Sequence, residues 1–129
     1  MHNNQYYIMD DDHQIHTTTD IEKWAKWMEG DDNRRVALSK IGDVEISTVF
    51  LSIDHNFGDG APVLFETMAF DRSDGKWDEI EANRYSTYDE ALEGHNQMVI
   101  EMINRARAGL LTPGAAAAVG RESAGEQAP

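Results

Sequence analysis

Residues 87–109 read TYDEALEGHNQMVIEMINRARAG. Tyr88, Ala91, Leu92, His95, Met98, Val99, Met102, Ile103 and Ala106 recur at intervals of three and four, the period that lays side chains along one face of an α-helix. Thr87 and Glu90 stand at the spacing of a capping box, in which the hydroxyl and the carboxylate each satisfy a backbone donor of the first turn. Gly109, with Pro113 beyond it, is a stop signal in the expected place. The spacing predicts one long helix with a single apolar stripe, and such a stripe needs a sheet to cover it.

Upstream the period changes to two. Val36 to Ile41 and Val44 to Ile53 flank Gly42-Asp43, a two-residue connection of the kind tight hairpins use. In the second run Val44, Ile46 and Phe50 point one way and Val49, Leu51 and Ile53 the other, so its end is expected to be buried on both faces, as a central strand is. A loop over 54–61 leads through Pro62 to a third strand, Val63 to Phe70, and a turn over 71–76 to a charged run, Trp77 to Tyr85, suited to a sheet edge. Nearer the N-terminus, Gln5 to Met9 and His13 to Thr17 predict a short hairpin turning on Asp10, Asp11 and Asp12. Thr19 and Glu22 repeat the capping-box spacing. Behind them Ile21, Trp24, Ala25 and Met28 mark a short helix over Asp20 to Glu29, with Trp27 off the stripe and partly exposed. The expected fold is α+β: a curved antiparallel sheet of four to six strands, the long C-terminal helix packed on one face, and the short helix near the N-terminus.

The 129 residues are one domain's worth of chain, placed at 1–111, and the remainder, 112–129, reads as a disordered tail. That tail holds Pro113-Gly114, four alanines and then Gly, Ser, Glu and Gln, with almost nothing large and apolar to offset its ordering entropy. Twenty-four acids against 11 bases give a net charge of -13, and eight of the acids but only two of the bases lie in the first 32 residues. Nucleic acid is an excluded partner on that balance, because its affinity comes chiefly from basic groups that displace counterions. The absence of cysteine excludes a disulfide scaffold, a thiolate metal site and a cysteine nucleophile. No apolar run approaches the ~18 residues of a membrane span, and the polar, acidic start differs from a leader peptide, so a cytoplasmic protein without a membrane partner is expected.

Catalytic signatures are absent: there is no Gly-x-Ser-x-Gly elbow, no phosphate loop, no dinucleotide fingerprint and no His-Glu-x-x-His. No enzyme activity and no cofactor are therefore expected. The densest polar cluster is Asp54-His55-Asn56-Phe57-Gly58-Asp59-Gly60, whose calcium-loop count fails because Gly58 stands at position 5 and Phe65 at position 12. Turn conformations at Gly58 and Gly60 account for those glycines. His13 and His16 point to opposite faces of a strand, which disfavours a metal pair. His95 lies in the helical stripe, where a packed, hydrogen-bonded imidazole is the usual state. Asp54, His55, Asn56 and His95 are kept as an alternative small-ligand, metal or hydrolase site. The remaining distinctive feature is acid beside aromatic: Asp10, Asp11 and Asp12, and Trp27 with Glu29, Asp31 and Asp32, the composition of a surface that docks on a basic protein.

Several ordered segments carry a resemblance. Trp24-Ala25-Lys26-Trp27-Met28-Glu29, Ser47 to Leu51 running into Asp54 to Gly58, Pro62 to Met68, Arg84 to Tyr88, Glu90-Ala91 and Gly94-His95 look like a family of small proteins of unknown function from tailed bacteriophages and prophages. The resemblance covers about residues 5–103 and transfers no activity and no functional residue. It implies a phage setting, in which small acidic proteins of the host cytoplasm inhibit host machinery by binding, CRISPR and other defences included. The expectation is a phage-derived accessory protein that binds a host protein, with a DNA-mimic-like surface, or else a virion or assembly component; the oligomeric state stays open.

Overall fold

A computed structural model describes residues 6–30, 34–56, 58 and 60–110. The tail expected at 112–129 lies outside them, as do Asp31, Asp32, Phe57 and Asp59. In chain order the elements are β1 (Tyr6–Met9), β2 (Ile15–Thr18), α1 (Ile21–Met28), β3 (Arg35–Ile41), β4 (Val44–Phe50), β5 (Phe65–Asp71), β6 (Asp78–Tyr85) and α2 (Tyr88–Arg107). The fold is α+β. Among the described residues six strands divide into a two-stranded ribbon, β1-β2, and a four-stranded antiparallel sheet in the order β3-β4-β5-β6.

Gly42 makes the β3–β4 turn tight, at φ 60, a left-handed conformation that costs a glycine nothing. The register then runs straight across the sheet, from Ser39 to Ile46 to Ala69 to Glu81. Bulges interrupt both outer strands, β3 between Arg35 and Ala37 and β6 between Glu79 and Glu81, opposite Ala69/Phe70. The whole length of β4 alternates buried and half-buried. The expectation that its end is buried on both faces is corrected: β4 ends at Phe50, Val49 and Leu51 are half-buried, and Ile53, in the loop beyond, is exposed.

α2 lies across all four strands of that sheet. Its capping box forms as read, Thr87 Oγ1 accepting from the Glu90 N–H and the Glu90 carboxylate accepting from the Thr87 N–H, each at 3.1 Å. Ala91, His95, Met98, Val99, Met102 and Ala106 are its buried residues. Met98, Met102 and Ala106 meet Ile41, Val44, Ile46 and Ala69 in one core cluster. A fully buried Met or Val of this kind stabilises the fold by ~1.5 to 3 kcal/mol, so this stripe sets where the helix lies. A second cluster, around Phe50, Leu64, Phe65 and Ala91, is closed by Met9, Tyr7 and Ile15 of the ribbon and by Trp27.

α1 begins differently from its expectation. Its N-cap is Asp20, whose Oδ1 accepts from the N–H groups of Glu22 and Lys23, while Thr18 Oγ1 accepts from the Asp20 N–H. Thr19 does not cap. A carboxylate one residue further on presents a charged acceptor to the same donors and displaces the hydroxyl.

Candidate functional site

The β1–β2 turn is organised by one carboxylate. Asp10 Oδ1 accepts from the N–H groups of Asp12 and Gln14, each at 2.9 Å, and Oδ2 lies 2.7 Å from His16 Nε2. The His16 bond first, and the Gln14 N–H after it, hold the Asp10 carboxyl below the usual carboxylate range. All three aspartates are exposed, but the Asp10 carboxylate is committed to its own turn.

The same turn reaches α2. His13 takes a left-handed conformation, φ 64, and its ring stacks on Tyr88 with centroids 4.2 Å apart and planes 8° from parallel. Asp12, His13 and Gln14 face Thr87, Tyr88 and Asp89 across an open cleft of about 350 Å3. Asp89 is exposed in the first turn of α2, where the helix dipole favours a carboxylate. Two acidic segments from opposite ends of the described chain thus form one edge, with a His–Tyr stack at its centre.

Trp27 keeps the partial exposure that its place off the stripe predicts. It is half-buried and meets Phe50 edge-on at 5.7 Å and 89°, and its neighbour Trp24 stacks on Tyr6 at 4.8 Å. With eight residues and two tryptophans, α1 docks by its bulkiest side chains, Trp24, Trp27 and Met28, and leaves Ile21 and Ala25 exposed. Glu29 is the exposed C-cap of α1. Asp31 and Asp32 lie outside the described residues, so the acidic end of α1 is described only through Glu29.

The alternative site separates into two structural devices. Asp54 Oδ1 accepts from the N–H groups of Asn56 (2.7 Å) and Val63 (2.8 Å); Asn56 accepts from the Gly58 N–H and donates to the Ala61 carbonyl; the His55 N–H donates to the Val63 carbonyl. These side chains close the loop on itself. Gly60 has φ +109, whereas Gly58 is not left-handed. The loop abuts the ribbon: the Tyr7 N–H donates to the Ser52 carbonyl, and burial, then the Asp54 charge, pushes the Tyr7 hydroxyl up.

His95 lies elsewhere, between α2 and the sheet. Its Nε2 is 2.9 Å from Ser39 Oγ, its Nδ1 2.8 Å from Thr48 Oγ1, and Thr48 Oγ1 is 2.5 Å from Thr67 Oγ1. A serine, a histidine and a third oxygen are the parts of a nucleophilic triad, yet Ser39 is 3% and His95 1% exposed. No substrate reaches a nucleophile there. The arrangement satisfies polar groups inside the core, and burial holds the imidazole below its ordinary pKa.

Among the described residues no group of three or more His, Asp or Glu is placed to hold a metal ion, and no helix is long and apolar enough to cross a membrane. The contact that sequence reading missed is His13 on Tyr88. Its only signal is a histidine directly after three aspartates in a tight turn, which allows a left-handed conformation but names no distant partner. Compared with protein-family models, with curated proteins and with solved structures, the chain matches none.

Proposed function

We propose that this chain is a non-enzymatic, phage-derived accessory protein that binds a host protein with a basic surface through the edge built by Asp11, Asp12 and Asp89. The observation that supports it is the stack of His13 on Tyr88, which joins the acidic turn to the acidic start of α2 and sets two rings among exposed carboxylates. Rings as anchors with carboxylates around them suit a partner rich in Arg and Lys, the carboxylates supplying steering and register. Such a negative surface also competes for sites that hold phosphates, which fits an inhibitor of a host defence or nucleic-acid-processing system. The phage setting rests on the ordered segments from Trp24 to His95.

The test is capture from bacterial lysate at ~50 and ~500 mM salt, a range that shortens the screening length about threefold. The intact chain is expected to retain a specific partner at low salt and release it at high salt, and Asp11→Lys with Asp89→Lys to retain none. No specific partner at low salt, or equal capture by the charge-reversed chain, overturns the reading.

A further inference from the structure

We infer that the face of the four-stranded sheet opposite α2 binds a second copy of this chain, sheet against sheet. Alternation along β3, β4 and β5 sends Ala37, Ser39, Ile46, Thr48, Thr67 and Ala69 under α2. The intervening residues point the other way. Among them Leu38, Val49, Met68 and Phe70 belong to neither core cluster, and α1 lies against the ribbon rather than over them.

Three features make a second copy the occupant. The first is pattern. The cross-strand row Leu38, Ser47, Met68, Ala82 crosses all four strands without a charge, and charged residues flank it on both sides, an apolar centre within a polar rim. Trp77, 57% exposed, extends the apolar part by meeting Phe70 edge-on at 5.2 Å, with the Arg72 guanidinium 3.7 Å from its ring centre.

The second is charge. Arg35, Lys40 and Arg84 share the flanking rows with Glu45, Glu66 and Glu79, so the strands present no net charge on this face, in a chain carrying -13 overall. Two copies repel one another through most of their surface, and this face, where the charges balance and Arg84 already bonds Glu66, is where that net repulsion is absent. The third is size. Four strands ~4.8 Å apart and seven residues long at ~3.3 Å each span ~19 by ~23 Å, a flat footprint of ~450 Å2. Side-chain relief and the Trp77 rim bring it toward the ~600 Å2 per partner at which specific dimers begin. A two-fold pairing of one face with itself, strands aligned within ~30°, satisfies the pattern and the charge balance and approaches the size.

Sedimentation of the full chain from ~1 to ~100 µM tests this. The expected mass is twice 14.5 kDa at the upper end. Added salt is expected to tighten the dimer by screening the net repulsion, opposite to its effect on capture by the acidic edge. Met68→Lys, on an outward side chain, is expected to weaken the dimer at least tenfold with unchanged circular dichroism; Asp89→Lys leaves it intact. If Met68→Lys does not fold, Leu38→Glu on the outer strand replaces it. A monomer at ~100 µM, whether the face is bare or covered by the chain's own terminal residues, overturns the inference, as does a dimer that Met68→Lys or Leu38→Glu leaves unchanged.

Discussion

His95 has a hydroxyl at each ring nitrogen, Ser39 on one side and Thr48 on the other, and no charged group contributes to its shift. A neutral imidazole donates from one nitrogen and accepts at the other, and both hydroxyls can adapt to either tautomer. A protonated ring would place a charge between helix and sheet with no carboxylate to pair it. Burial holds the folded pKa below the ordinary 6.5, so under that pH the unfolded chain binds a proton that the folded chain does not. Stability from this residue is full above 6.5 and is lost as the pH falls toward the folded value. Chemical denaturation between pH 7 and 5 is expected to show a slope of up to ~1.4 kcal/mol per pH unit, and His95→Asn to flatten it. Losing one ring partner should cost that variant ~1 to 3 kcal/mol at pH 7. An unchanged slope in His95→Asn would assign the pH dependence to other groups. The role of His95 was legible in part: the apolar stripe announced a packed imidazole, but its partners are two hydroxyls on two strands that nothing in the chain links to it.

At the level of the element, α2 was the most legible part of the chain and its fit against β6 the least. The stripe and the capping box are local patterns, decided by neighbours three and four residues away. Gly94 belongs to no such pattern. A Cβ built on it stands 2.1 Å from Cζ and Oη of Tyr85, so the helix passes close over that ring only because the side chain is absent. Alanine is worth ~1 kcal/mol over glycine inside a helix, whereas overpacking a core contact costs ~1 to 3 kcal/mol. Gly94→Ala is expected to destabilise the protein, and in a Tyr85→Ala background the same change should stabilise it by ~1 kcal/mol, read by denaturation of the four variants of the cycle. A destabilisation that persists without the Tyr85 ring would place the strain elsewhere. α1 teaches the complementary lesson. Its periodicity selected Ile21 and Ala25 for burial, but an eight-residue helix with two tryptophans turns its largest apolar surface inward, and Asp20 outcompetes Thr19 for the cap.

Over the whole molecule, acids outnumber bases by 24 to 11, and two of the arginines hold ion pairs. Arg105 reaches both Glu81 (2.9 Å) and Glu101, and Arg84 bonds Glu66 at 3.0 Å. Exposed pairs of this kind stabilise by under ~1 kcal/mol each, so they do not offset the mutual repulsion of a chain at -13. The thermal midpoint is expected to rise as salt goes from ~10 to ~150 mM, because screening removes more repulsion than attraction. A falling midpoint in that calorimetric series would show that the ion pairs dominate. The class of fold was readable because six strand-like runs and two helical ones follow one another with turn residues between them. Their division into a ribbon and a separate sheet was not, since pairing is decided by packing against Phe50 and Phe65 rather than by any one strand.

The stack of His13 on Tyr88 has a practical consequence for recognition. The acidic edge is a discontinuous epitope: one half comes from the turn after β1, the other from the start of α2, and only the folded chain holds them together. A peptide copied from either segment carries half of it, and an antibody raised against the denatured chain would meet the two halves as unrelated sequences.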